Sequence, residues 1–454
     1  MTPAAPAPPG ETELVCAGCG SGTAGDDAYP FRCPNRDHGD VDHVLVRRQP
    51  TTATTPVDEA EPNPFVRYRH RLYSHSRALA GGVTDGDYQA MVRRVDAAVA
   101  GVDGHGFVAT PFEYSAALSE ALGFAAPGGV WVKDETGNVT GSHKGRHLMG
   151  IALHLEVSEM LGLASPDERR ILSVASCGNA ALAAAVLAAA TGRRLRVFVP
   201  VDANPAVVER LDRLGAEIVV SPRSAGFRGD PCYARLLEDL DAGAVPFTCQ
   251  GNLNGLAIEG GETLGYEMAT EMRSKGVELD HLIVQVGGGA LASSCLHSLE
   301  EARALGDIPA VPRIHTVQTE SAHPLERAYR RVVEDLPAEP EPGQVEAVLV
   351  RAARHRSDYM WPWEAEPKSI ATGILDDETY DWLAVVGGML RTGGVPVVAD
   401  EDTLALAHEL GEQCEFSADP TGTAGLAGLM RLMDDGTVQP GERVALIFTG
   451  AERS

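Results

Sequence analysis

Val130-Trp131-Val132-Lys133-Asp134-Glu135-Thr136-Gly137-Asn138-Val139-Thr140-Gly141-Ser142-His143-Lys144-Gly145-Arg146-His147 is the stretch that decides how this chain folds. Val130 to Lys133 has strand character, and the Gly/Asn/Thr/Ser run after it reads as a loop. Leu148 to Leu155 is a helical pattern, which puts Lys144 at the start of a helix. A lysine there faces the positive end of the helix dipole and unpaired N–H groups. Such surroundings, with burial, suit an amine to Schiff-base chemistry with a carbonyl compound. The bland alternative is a surface lysine in a turn.

Further stretches decide between the two. Arg170 to Ala175 is a strand that runs into Ser176-Cys177-Gly178-Asn179 and an Ala-rich helix ending at Ala190. A strand, tight turn and helix form a βα unit whose loop lies at the carboxyl edge of a parallel sheet, where ligands bind. Glycine lets a ligand approach the backbone, and the helix N–H groups suit a carboxylate. His281 to Val286 is a buried-strand pattern leading into Gly287-Gly288-Gly289-Ala290-Leu291 and a helix from Ala292 to Leu305. A glycine triplet in that place forms a backbone cradle for a phosphate. It is neither a Walker loop nor a dinucleotide fingerprint. Arg443 to Phe448 is a buried strand that ends on the hydroxyl of Thr449.

Strands alternating with helices elsewhere imply doubly wound α/β architecture. They are Leu195–Pro200, Glu217–Ser221, Val311–Val317 and Pro396–Val398, with helices at Ala203–Leu214, Ala257–Met272 and Asp402–Leu410. Tyr88–Ala100 reads as an amphipathic helix, Phe107–Phe112 as a short strand, and Glu334–Val345 as an acidic surface loop. Asp419 to Leu426 opens a further helix, and Lys368 to Gly373 is a polar turn that could face the site. Glu259 and Glu262 are read either as first-turn acids complementing a helix dipole or as catalytic groups. The basic arm Arg67 to Arg71 is either an exposed helix face or an anion contact.

The chain has 454 residues, 44% hydrophobic and 22% charged, with a net charge of −26. That acidity argues against a nucleic-acid or anionic-membrane binder. No apolar run approaches the ~18 residues of a membrane span. Met1 to Gly10 is Pro/Ala-rich and reads as a disordered tail without signal-peptide features, so the cytoplasm is the expected compartment. Eight cysteines in this length do not make a disulfide scaffold. Cys16-Ala17-Gly18-Cys19 followed by Cys33 reads as a zinc knuckle with Cys16, Cys19, Cys33 and His38 as ligands. Asp37 and His43 are alternatives for the fourth position.

One ligand accounts for these loops. It carries a phosphate for Gly287–Leu291, an aldehyde for Lys144, a carboxylate-bearing adduct for Ser176–Asn179 and a ring that reaches Thr449. Pyridoxal phosphate has all four features.

With those residues in view, the chain resembles the fold type II family of pyridoxal-phosphate enzymes. That group includes tryptophan synthase β, cysteine synthase, threonine dehydratase and threonine synthase. Within it the chain is most similar to threonine synthase, through the cysteine knuckle, Asn63-Pro64-Phe65-Val66-Arg67-Tyr68-Arg69, Thr110-Pro111, Lys133-Asp134-Glu135 and Ile258-Glu259-Gly260 with Thr263. Two departures matter. Ser142-His143-Lys144-Gly145 stands where threonine synthases usually have Ser-Phe-Lys-Asp, and a histidine before the lysine is more like tryptophan synthase β. The loop Gly287-Gly288-Gly289-Ala290-Leu291 is closer to the dehydratase style.

The resemblance implies an α/β fold of two doubly wound domains with the cofactor in the cleft between them, plus a small zinc-ribbon-like knuckle. The corresponding division is a tail at 1–10, the knuckle at 11–48 and a linker at 49–63. A large cofactor domain would span 64–140 and 265–454, and a small mobile substrate domain 141–264. Lys144 would bond the cofactor and serve as the base at Cα. Gly287, Gly288, Gly289, Ala290 and Leu291 would hold its phosphate, and Thr449 its ring nitrogen. Asn179, or alternatively Asn138, would contact its phenolic oxygen. Ser176, Cys177, Gly178 and Asn179 would bind the substrate carboxylate. His143 would either stack on the ring or tune Lys144. The implied activity is β- or γ-elimination or replacement on an amino acid, threonine synthase-like, in a homodimer with no nucleic-acid or membrane partner. The runners-up are a serine/threonine dehydratase or a β-replacement synthase, and, in another class, a non-catalytic pyridoxal-phosphate-binding protein.

Overall fold

The computed structural model describes residues 12–48, 57–223 and 229–452. The tail at 1–10, most of the linker at 49–56 and the final two residues lie outside them. Contacts divide the chain into two units. The first gathers residues 1–38, 43–109 and 144–263; the second gathers 39–42, 110–143 and 264–454. Residues 64–109 therefore cluster with 144–263, whereas the division expected from the sequence puts them with 265–454. Among the described residues, no helix is long and apolar enough to cross a membrane.

The first unit is built on a four-stranded parallel sheet, in the order Glu217–Val220, Leu195–Val199, Leu172–Ala175, Val245–Pro246. Helices Asn179–Ala190, Pro205–Arg213 and Pro231–Asp241 connect the strands, as parallel pairing requires. The Asn179–Ala190 helix is apolar all round and is buried from Ala181 to Ala188, as an interior helix should be. Beside this sheet, Glu13–Cys16 pairs antiparallel with Leu45–Arg48 to form the knuckle. The knuckle is fastened by Arg47, whose buried guanidinium meets Glu262 at 2.7 Å and Glu259 at 3.4 Å. Glu259 also accepts from the Tyr73 N–H at 2.7 Å, so both acids act in the packing of this unit; the helix begins at Leu256, which leaves Glu259 in its first turn and puts Glu262 in the second.

The second unit is a six-stranded sheet, in the order Pro396–Ala399, Arg313–Thr319, His281–Gln285, Arg443–Phe448, Gly129–Asp134, Phe112–Ser115. All pairs are parallel except the last. The period of two in the strands feeds two cores, one on each face. Leu282, Val284, Ala445 and Ile447 pack into one; Ile283, Val444, Leu446 and Phe448 pack into the other.

Two sequence expectations are corrected here. The edge strand is Phe112–Ser115, not Phe107–Phe112. Pro111 has no N–H to give a ladder, and only its carbonyl is used, accepting from Asp134 N at 3.0 Å. The stretch Glu334–Val345 is not one loop. It holds the end of the Pro324–Glu334 helix and the start of Pro342–Arg354, each with proline in its first turn, where proline is tolerated.

Candidate active site

In the second unit, three neighbouring parallel strands end on the same edge. His281–Gln285 runs into Gly287–Leu291, Arg443–Phe448 into Thr449, and Gly129–Asp134 into the loop that carries residues 135–143. Neighbouring strands lie about 4.8 Å apart, so the outer two loops leave the sheet about 10 Å apart. That span matches a small ring bearing a phosphate arm.

The loop before Lys144 is held by a buried polar web. Lys133 Nζ meets Glu267 Oε2 at 2.5 Å and donates to the Thr110 carbonyl at 2.8 Å. Thr110 Oγ1 donates to Glu135, whose other oxygen accepts from Asn138 Nδ2 at 2.7 Å. Asn138 Oδ1 accepts from Val139 N at 2.8 Å. Both ends of the Asn138 amide are thus used within the protein, and Asn138 is not the better candidate for a cofactor contact. Thr140 is buried at φ +59°, a left-handed conformation that β-branched residues rarely adopt. The Gly141 carbonyl accepts from Gly450 N at 3.1 Å and Ala451 N at 2.8 Å. These bonds tie the loop to the end of the Arg443–Phe448 strand and hold the strained turn in place.

The next contact is chemical. Thr449 Oγ1 accepts from the His143 backbone N–H at 3.0 Å and lies 2.8 Å from His143 Nδ1. The two side chains are 3% and 8% exposed. Lys144 follows directly and begins the Lys144–Met160 helix, as the sequence pattern predicts.

Gly289, at φ +98°, is the N-cap of the Ala290–Ala304 helix, and no side chain caps that helix. Its first N–H groups have no acceptor within the helix. Thr379 Oγ1 donates to the Gly287 carbonyl at 2.9 Å, and Asp381 N to the Gly288 carbonyl at 3.1 Å. A methyl group on Gly287 would stand 2.2 Å from Asp376 Oδ2, and one on Gly288 would stand 2.9 Å from the Tyr380 ring. Residues 374–381 therefore crowd the glycine loop. Sequence reasoning missed them, because no local pattern marks a segment that matters only by its position.

In the first unit, Ser176–Asn179 follows the Leu172–Ala175 strand, and the helix it opens also lacks a side-chain cap. Gly178 N donates to Ser176 Oγ at 3.3 Å, and Cys177 is exposed. Asn179 Oδ1 is buried with no hydrogen-bond partner among the described residues. Arg146 and His147 are buried and engaged, with Thr263 Oγ1 at 3.1 Å and the Ala257 carbonyl at 2.7 Å. In the basic arm, Arg69 grips Asp85 through two bonds of 2.6 and 2.9 Å. Arg67 donates to the Glu61 and Glu59 carbonyls. In the polar turn Lys368–Gly373, Lys368 N donates to Ser321 Oγ and Gly373 N to Thr421 Oγ1.

The cysteine knuckle gathers four candidate ligand atoms within 4.8 Å of one another, from Cys16, Cys19, Cys33 and His43. Cys16 Sγ is 3.5 Å from His43 Nδ1, and Cys19 Sγ is 3.6 Å from Cys33 Sγ. The histidine is His43, not the His38 favoured from the sequence. Pairing of Cys16 with Leu45 sets residue 43 beside the first cysteine, while His38 offers its carbonyl to His43 Nε2 at 3.2 Å. Burial pushes the Cys16 and Cys33 thiols up. At Cys19 burial acts the same way, but hydrogen bonds, led by Ser21, outweigh it and bring the thiol down to about 6.

The chain belongs to the pyridoxal-phosphate-dependent enzyme family, whose model matches residues 105–450. It is 24% identical to a threonine synthase of Methanosarcina acetivorans over 343 residues, 75% of this chain and 74% of that one. It is 24% identical to a threonine synthase of Mycobacterium tuberculosis over 344 residues, 75% of this chain and 80% of that one. In fold it is similar to diaminopropionate ammonia lyase from Escherichia coli, with TM-score 0.58 and 17% identity, covering 80% and 88% of the two chains. It is likewise similar to a threonine deaminase from Solanum lycopersicum, with TM-score 0.56 and 15% identity, covering 82% and 92%. The residues fit the family's cofactor. In the second unit an uncapped helix start on glycine suits its phosphate, and the buried Ser142 Oγ has no protein partner among the described residues.

Proposed function

We propose that the chain is a pyridoxal-phosphate-dependent lyase or synthase, threonine synthase-like, that takes a proton from Cα of an amino acid. A group then leaves the β or γ carbon, or is replaced there. The observation that carries this is the convergence of Gly287–Leu291, Thr449 and the loop leading to Lys144 on three adjacent strand ends. Bound pyridoxal phosphate supplies an aldehyde for amines and an electron sink for the Cα carbanion. Lys144 would hold that group through Nζ, and the same amine, once free of it, would take the Cα proton. The N–H groups of Gly287–Leu291 would hold the phosphate, and the neutral Thr449 hydroxyl would serve the ring nitrogen. A neutral partner leaves that nitrogen unprotonated, which favours elimination or replacement over transamination. Asn179 would serve the phenolic oxygen, and Ser176–Asn179 would receive the substrate carboxylate on an open helix start.

The reading is tested by absorbance and peptide mapping. A visible band that borohydride abolishes, with the reduced adduct on Lys144 and none in Lys144→Ala, supports it. A colourless protein that takes up no added cofactor defeats it, and the non-catalytic alternative falls or stands with the turnover assays that follow. O-phosphohomoserine releasing inorganic phosphate identifies the synthase reaction. A dehydratase acting on an unphosphorylated amino acid is the second reading. It is favoured because Arg67, Arg69, Arg146 and His147 are all engaged within the protein, leaving none of them as an evident partner for a substrate phosphate. Release of 2-oxobutyrate from threonine would select it.

Zinc held by Cys16, Cys19, Cys33 and His43 is a structural part of the same proposal, since sulfur and imidazole donors are the usual set for that metal. A cytoplasmic homodimer is also part of it, supported by likeness to the family.

A further inference from the structure

His143 stands where the threonine synthase pattern has phenylalanine, and its ring is placed on Thr449. A threonine hydroxyl has one proton to give and two lone pairs. One lone pair of Thr449 Oγ1 takes the His143 backbone N–H at 3.0 Å. The second polar neighbour is His143 Nδ1 at 2.8 Å, and its protonation decides what remains. If Nδ1 is bare, it takes the hydroxyl proton, and Thr449 offers any further partner only a lone pair. If Nδ1 carries the proton, it fills the second lone pair, and the hydroxyl proton must point elsewhere.

An unprotonated pyridine nitrogen is an acceptor and cannot bond to the first arrangement. Resting on the cofactor reading given above, we infer that His143 is a positioning residue: its Nδ1–H donates to Thr449 Oγ1 and turns the Thr449 hydroxyl proton toward the ring nitrogen. The backbone N–H and Nδ1–H together leave Thr449 a donor only. Burial of both side chains keeps water from replacing either bond, and aligned bonds in a site of low polarity strengthen one another. The residue before Lys144 thereby sets how strongly the ring is held at the end away from the aldehyde.

The test uses the full chain stripped of cofactor, titrated with pyridoxal phosphate and with its 1-deaza analogue, in which C–H replaces the ring nitrogen. His143→Phe keeps a ring but removes the donor. His143→Asn keeps an amide N–H close to the place of Nδ1. For pyridoxal phosphate, His143→Phe is expected to weaken binding about tenfold and shift the absorbance maximum, with His143→Asn restoring most of both. For the deaza analogue, all three proteins are expected to bind alike. Unchanged affinity and spectrum in His143→Phe would overturn the inference while leaving the cofactor reading intact. Equal loss with the deaza analogue would do the same, because the histidine would then act only through packing. Failure of the unmodified protein to bind pyridoxal phosphate at all would remove the cofactor reading, and this inference with it.

Discussion

Replacing Lys133 by methionine tests whether the web beneath the Lys144 loop is a buried ionic structure. Lys133 is 0% exposed and Glu267 2%, with Nζ and Oε2 2.5 Å apart. Methionine keeps the length of the side chain but takes the cation away from a buried carboxylate, which costs about 3–5 kcal/mol. All four tryptophans, Trp131, Trp361, Trp363 and Trp382, lie in the second unit, so their fluorescence follows its unfolding. With a urea dependence of about 2–3 kcal/mol per molar, the midpoint should fall by about 1–2.5 M. The double variant Lys133→Met/Glu267→Leu removes both charges and should recover much of the loss. Recovery stays incomplete because the Thr110 N–H, 3.1 Å from Glu267 Oε2, and the Thr110 carbonyl lose partners at about 1–3 kcal/mol each. A single variant within about 1 kcal/mol of the parent protein, or a double variant no more stable than the single, would refute the argument.

Three other outcomes follow from the same geometry. Asn179→Ala should leave stability within about 0.5 kcal/mol, since its buried Oδ1 has no protein partner among the described residues, yet shift the cofactor absorbance; Asn138→Ala should instead cost about 1–3 kcal/mol in urea unfolding, because it takes a donor from buried Glu135. Burial holds the fully enclosed His154 down at about 4 in the folded chain, against an ordinary 6.5. The unfolded chain binds that proton first, so stability is full above pH 6.5 and falls as the pH drops toward 4; His70 and His315, also held down at about 4 by burial, act in the same sense, so His154→Asn should lessen the fall of the urea midpoint across that window without abolishing it. Metal analysis should find zinc in the parent protein and in His38→Ala, and loss of it in Cys16→Ser and His43→Ala.

Local patterns in the sequence carried the elements well. The strand at Gly129–Asp134, the helix opening at Lys144, the turn Ser176–Asn179 and the glycine triplet after His281–Gln285 each lie within one short window of chain. Periodicity and turn chemistry act at that range, and they are sufficient to imply parallel α/β architecture and a phosphate-bearing cofactor. Proline and acid over 334–345 suggest a loop, yet the apolar spacing of Val345, Leu349 and Ala352 marks the Pro342–Arg354 helix, as that of Leu325, Ala328 and Val332 marks Pro324–Glu334. That spacing was a readable signal.

Adjacency was not readable, because hydrogen bonds between strands carry no mark in the local sequence. Only the folded sheet sets strands beginning at residues 281, 443 and 129 side by side and turns their three loops onto one edge. His143 and Thr449 are 306 positions apart and meet at 2.8 Å. The choice of His43 over His38 rests on the pairing of Glu13–Cys16 with Leu45–Arg48, and the commitment of Asn138 rests on a buried glutamate. The sequence determined which residue types stand at the loops. The tertiary structure decided which of them still have a hydrogen bond to offer, because that depends on every neighbour that packing brings within about 3 Å.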